Sequence, residues 1–157
     1  MTSAQVFSAH SKVDKDLYER DFYAWTQEQS ALINQGRWAD LDIPNLIEGI
    51  ESLGRQQRLK LRNRLSVLLA HLLKWEYQPA KRSRSWRNTI RIQRLEITDL
   101  MTDSPSLKPY LQAAISKAYA GAAITAAEKT GLPESTFSAE VNYTAQQILD
   151  DSFFPDL

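Results

Sequence analysis

Apolar residues recur along most of the chain at spacings of three and four rather than two, so the pattern predicts helices and no competing strand. The first helix is expected over residues 14–35, with Tyr18, Phe22, Trp25, Leu32 and Ile33 on one face, a capping box at Ser11 and Asp14, and Gly36 as its stop. The second is expected over residues 42–77. Pro44 sits in its first turn, where a missing N–H costs nothing, and Pro79 ends it. Ile47, Ile50, Gly54, Gln57, Leu61, Leu65, Leu68, Leu72 and Trp75 follow an alternation of three and four, the mark of a long helix packing lengthwise over roughly 50 Å. Gly49 and Gly54 each weaken it by about 1 kcal/mol relative to Ala and place any break near Gly54.

A third helix is expected from Ser83 or Ser85 to about Thr102, burying Trp86, Ile90, Gln93, Ile97 and Leu100. Ser104-Pro105 then reads as a cap and a start. The fourth helix, rich in alanine and regular only after Ser106 because of Pro109, runs to Thr130 before Gly131. Asn142 is expected to cap a short helix over residues 143–150, with Phe153, Phe154 and Pro155 as a tail on the core. The expectation is therefore an all-α, single-domain bundle of about five helices, built around a long antiparallel helical hairpin connected by residues 79–82. Residues 1–13 are expected to be a mobile N-terminal segment and residues 14–157 the helical domain.

The length of 157 residues and a hydrophobic content of 43% suffice for one sizeable core. The absence of cysteine excludes disulfides, thiolate metal sites and cysteine nucleophiles, and fits a reducing compartment. The N-terminal residues lack the pattern of a signal peptide and no apolar run approaches the ~20 residues that cross a bilayer, so a cytoplasmic protein without membrane contact is expected.

A net charge of zero conceals segregation. Residues 13–51 carry nine acids against Lys15, Arg20 and Arg37; residues 54–95 carry twelve bases against Glu76; residues 96–157 return to nine acids against three bases. On the second helix Arg55, Arg58 and Arg62 share a face, and on the third Arg84, Arg87, Arg91 and Arg94 do the same. With Lys81 and Arg82 at the connection, these nine residues are a candidate basic binding surface. Should the rows converge, they could follow a phosphate backbone, with Trp75, Tyr77 or Trp86 stacking on an unpaired base. Two plainer readings compete. A charge row opposite an apolar stripe is the ordinary solvated face of a helix, and Trp75 and Trp86 lie on the apolar stripes themselves. The acidic blocks, Asp14, Asp16, Glu19, Asp21, Glu48 and Glu51 or Asp150 and Asp151, could also neutralise the arginines within the fold or across a dimer.

For catalysis the chain offers little. It has no GxSxG elbow, no GxxxxGK[ST] or GxGxxG phosphate loop and no HExxH pair. His10 lies in the N-terminal segment without an evident partner, and His71, four residues before Trp75, reads as a packed or half-exposed structural histidine. Glu48 and Glu51 are one turn apart, a spacing common on solvated helices. No cofactor or metal is expected.

The stretch LLAHLLKWEYQPAKRSRSWRNTIRIQRLEI, followed by SPSLKPYL, KTGL and YTAQQILDDSFFP, resembles the bacterial, largely cyanobacterial, domain of unknown function 29 family over residues 17–155. The resemblance implies an all-helical fold and carries no catalytic residue, cofactor or substrate with it. The leading expectation is a soluble, non-enzymatic protein–protein interaction module whose partner is itself or another protein. The alternative is a nucleic-acid-binding module using the arginine rows, and the third is an enzyme with scattered carboxylates near His71.

Overall fold

The computed structural model describes residues 16–156; Ser11, Asp14 and His10, with the expected capping box and mobile segment, lie outside the described residues. Among the described residues there are six α-helices, four short 3-10 turns and no strand, so the fold is all-α. The helices are α1 (Leu17–Arg20), α2 (Phe22–Asn34), α3 (Ile43–Tyr77), α4 (Arg84–Asp103), α5 (Leu111–Thr130) and α6 (Ala145–Leu149). The chain forms two compact units, one up to residue 53 and one from residue 54 onward.

In the first unit the single helix expected over residues 14–35 is broken at Asp21. That residue leaves helical geometry (φ −150°), ends α1, and starts α2 by accepting a hydrogen bond from the Ala24 N–H at 3.0 Å. An aspartate at this position competes with helix continuation because its short carboxylate satisfies the next turn's free amides. Gly36 makes the stop with φ +68°, as expected. Asp42, nine-tenths buried, ties α2 to α3. Its Oδ2 accepts from Trp25 Nε1 at 3.1 Å and Asn45 Nδ2 at 2.8 Å, while its backbone N–H donates to Gln29 Oε1 at 2.8 Å. Tyr18 and Phe22 gather around Trp25, with ring centroids 4.8–5.5 Å apart.

α3 begins with Pro44 in its first turn and runs to Tyr77, as expected, and it remains helical through Gly54, the place assigned to any break. An added Cβ at Gly54 would meet nothing within 4 Å, so the glycine is neither a kink nor a packing device.

In the second unit α3 and α4 form the antiparallel hairpin. Lys74 sits 4.3 Å from the Trp86 ring near the turn, and ten positions further along both helices Arg64 pairs with Glu96 at 2.8 Å. α5 runs parallel to α3 in a constant register: Arg58 stacks on Tyr110, the Ser66 hydroxyl donates to the Ala118 carbonyl and the Gln78 amide to that of Thr130, each partner 52 residues on. Alanines 114, 118, 122 and 126 face inward, which lets α5 approach closely. The core holds Leu61, Leu65, Leu68, Leu72, Ile90, Ile97, Ile115 and Ile148, each wholly buried. Ser83 caps α4 and Gly131 (φ +73°) ends α5. Two expected boundaries move. Residues 105–110 wind as a 3-10 segment containing Pro109, so α5 starts at Leu111; and Thr144, not Asn142, caps α6 through a complete capping box with Gln147.

The two glycines make opposite predictions for one change. Gly54→Ala on the open helix surface is expected to stabilise by about 0.5–1 kcal/mol, and Gly131→Ala, forced to positive φ, to destabilise by about 1 kcal/mol. Thermal denaturation followed by circular dichroism compares them directly.

Candidate functional site

The antiparallel register separates the two arginine rows. Arg55, Arg58 and Arg62 lie near the end of the hairpin where α4 finishes, whereas Arg84, Arg87 and Arg91 lie near the turn, about 20 Å away along the axis. Arg84 and Arg91 are exposed on α4, as are Arg55 and Arg58 on α3 and Lys81 at the turn; Arg62 is half-buried.

Arg94 leaves its row altogether. It is 1% exposed, its Nε donates to the Ile148 carbonyl at 2.8 Å, and its Nη2 donates to the Phe153 carbonyl at 2.7 Å and, at 3.4 Å, to that of Gln147. Burial pushes its pKa down, opposed by the charges of Asp151 and Asp150. Nη1 has no hydrogen-bond partner, and the guanidinium lies 5.4 Å from the centre of the Phe154 ring. A charged fork of this kind supplies donors to carbonyls that leave the end of α6 and the following turn.

Arg82 and Arg87 hold the same segment. Arg82 donates to the carbonyls of Trp75 (2.8 Å) and Pro155 (3.3 Å) and pairs with Asp156. Arg87 lies over both Trp75 and Phe154, at 5.4 and 5.1 Å, and Phe154 packs 4.9 Å from Trp75. The tail Phe153, Phe154 and Pro155 is thus on the core as expected, clamped by three of the nine arginines and lysines of the candidate surface. Reading Arg94 as one of an arginine row hid this, although it stands four residues after Ile90 and three before Ile97, the spacing of the buried stripe itself.

The aromatic residues are committed as well. Trp75 is 6% exposed; Trp86 is half-buried under Lys74, whose pKa burial and Lys129 lower; Tyr77 packs edge-on to Phe137. His71 is half-buried, with Nδ1 2.8 Å from the Val67 carbonyl, and burial lowers its pKa against that bond. Tyr143 donates to the Glu76 carboxylate, and its pKa is driven far up by burial and by that bond. Among the described residues no group of three or more Asp, Glu or His is placed to hold a metal ion, and no helix is long and apolar enough to cross a membrane.

A second feature was missed by the pattern reading. The stripe of α3 is expected to pack lengthwise against other helices, yet its Ile47 and Ile50 are 53% and 68% exposed, and Ile43 and Leu53 beside them 49% and 62%. The reason is length. α4 and α5 have 20 residues each, about 30 Å of helix, against 35 residues and about 50 Å for α3, so the hairpin partners cover only its second half. That shortfall was readable from the predicted lengths.

Two predictions concern the buried polar groups. Arg94→Lys keeps the charge but loses the fork; it should destabilise the fold by about 2–3 kcal/mol in denaturant unfolding and make the chain beyond Leu149 sensitive to protease. Because Tyr143 stays neutral in the folded state while an unfolded tyrosine ionises near pH 10, its contribution is complete below that pH and should fall by about 1.4 kcal/mol per unit above it. Tyr143→Phe should flatten that part of the profile, as urea titrations between pH 9 and 11 would reveal.

No curated protein and no solved structure matches the chain at a significant level. The family model described as domain of unknown function DUF29 matches residues 17–154, the span that contains the hairpin, the tail as far as Phe154 and the uncovered stripe, and the chain belongs to that family.

Proposed function

We propose that the protein is a non-enzymatic protein–protein interaction module whose docking face is the uncovered aliphatic side of α3 in its first half. The observation that carries this reading is the imbalance within the first unit. Its described residues bury the hydrophobic side chains of Trp25 and Leu32 but leave Phe22, Tyr23, Ile33, Trp38, Ile43, Ile47, Ile50 and Leu53 at least 41% exposed. So short a helical stretch cannot assemble a core of its own, and a contiguous run of exposed aliphatic side chains is the usual mark of an interaction surface.

The nucleic-acid reading has weaker support. Arg82, Arg87 and Arg94 are engaged by the chain's own tail, the remaining rows lie at opposite ends of the hairpin, and Trp75, Tyr77 and Trp86 are packed. The enzyme reading fares no better: the cleft beside α4 and α6 is lined by Asn88, Arg91, Thr98 and one carboxylate, Asp151, and His71 is not on it.

In-cell photo-crosslinking tests the proposal. Ile50→p-benzoylphenylalanine should give a discrete protein adduct, and the same replacement at Ile124, which is also exposed on α5, should not. Equal labelling at both positions, or none at residue 50, would overturn it.

A further inference from the structure

The outer face of α4 carries a cleft that the chain leaves unfilled, and every residue lining it belongs to the second unit. α6 has five residues, about 7.5 Å of helix, against 20 residues and about 30 Å for α4, so it covers only part of that face. Beside it Asn88, Arg91, Leu95 and Thr98 follow along α4 at spacings of three, four and three, and with Leu149 and Asp151 they bound a hollow of about 450 Å³. Small-molecule sites occupy roughly 300–1,000 Å³. Ile92 and Leu95 on its wall are 54% and 60% exposed.

The polar groups of the cleft are largely unspent. Among the described residues the side chains of Asn88, Arg91 and Thr98 make no hydrogen bond or ion pair. Arg94 lines the cleft as well; it is 1% exposed, and its Nη1 is a buried donor without an acceptor. An unmet buried donor is costly, so a group that supplies the acceptor is favoured there. Two positive charges thus stand on the wall against one negative, Asp151. Asp150, whose charge also acts on Arg94, is not on the wall and accepts two hydrogen bonds from Ser152.

We infer that this cleft binds a small organic monocarboxylate with an aliphatic body. The carboxylate accepts from the guanidinium fork of Arg91 and the amide of Asn88, and one of its oxygens supplies the acceptor that Arg94 Nη1 lacks. The body lies along Ile92, Leu95 and Leu149. A single negative charge balances the wall, whereas a second would meet Asp151 without a partner of its own. The site owes nothing to the aliphatic ladder of α3, so the docking reading stands or falls separately.

Octanoate is a suitable probe, titrated into the isotope-labelled full chain and followed by NMR. Saturable shifts are expected at the amides of Arg91, Leu95 and Leu149 and in the side-chain signal of Arg94. Acetate, which has the charge without the body, and octanol, which has the body without the charge, should each bind at least about tenfold more weakly. Arg91→Met should weaken octanoate at least about tenfold with helicity unchanged, and Asp151→Asn should tighten it. No saturable binding, octanol binding as well as octanoate, equal shifts along residues 43–53, or an Arg91→Met chain that binds as before would each overturn the site. Octyl phosphate binding more tightly than octanoate overturns the monocarboxylate. An Arg94 signal that stays still while Arg91 shifts overturns the role given to the buried donor.

Discussion

A helix must be covered along its apolar stripe for as far as that stripe runs, and in this protein the stripe outruns its cover. α3 carries aliphatic residues from Ile43 to Leu72, whereas α4 and α5 supply only 20 residues each. At a fixed rise of ~1.5 Å per residue, no rearrangement of side chains closes that gap. The completed core of the second unit and the uncovered aliphatic ladder of the first follow from the same inequality. They also divide the labour of the helix: one half is a structural spine, the other a surface.

Within the second unit the most consequential polar group is the Arg94 guanidinium. Burying a charge is unfavourable unless its hydrogen bonds are met, and here those of Nε and Nη2 are met by backbone carbonyls of α6 and the tail rather than by a carboxylate. The arrangement fixes where a tail with little regular structure must run. Arg82 and Arg87 continue the line, so one aromatic segment is pinned by cationic side chains on its polar edge and by Trp75 beneath. A surface rich in arginine by sequence is therefore spent in part on the chain itself.

The helices were legible because periodicity and punctuation agree. Pro44, Pro79, Ser83, Gly36 and Gly131 mark ends by restricting backbone torsion or offering a cap, and these effects are local. Where two such residues compete, the local rule is ambiguous: Asn142 and Thr144 are both good caps, and only the reach of Gln147 back to the Thr144 amide decides. Asp21 broke a helix that its neighbours would have continued. What periodicity cannot convey is which neighbour arrives. Arg94 stands on the buried stripe between Ile90 and Ile97, but which carbonyls receive it depends on where residues 147–153 run, and Ile50 looks like Leu65 until helix lengths are compared.

The partners of Arg94 have a further consequence for biogenesis. Its acceptors come from the far end of the sequence, more than 50 residues downstream of the guanidinium. Until those residues are made, the guanidinium keeps its water on an open face of α4, and its burial is completed only when α6 and the tail lay their carbonyls over it.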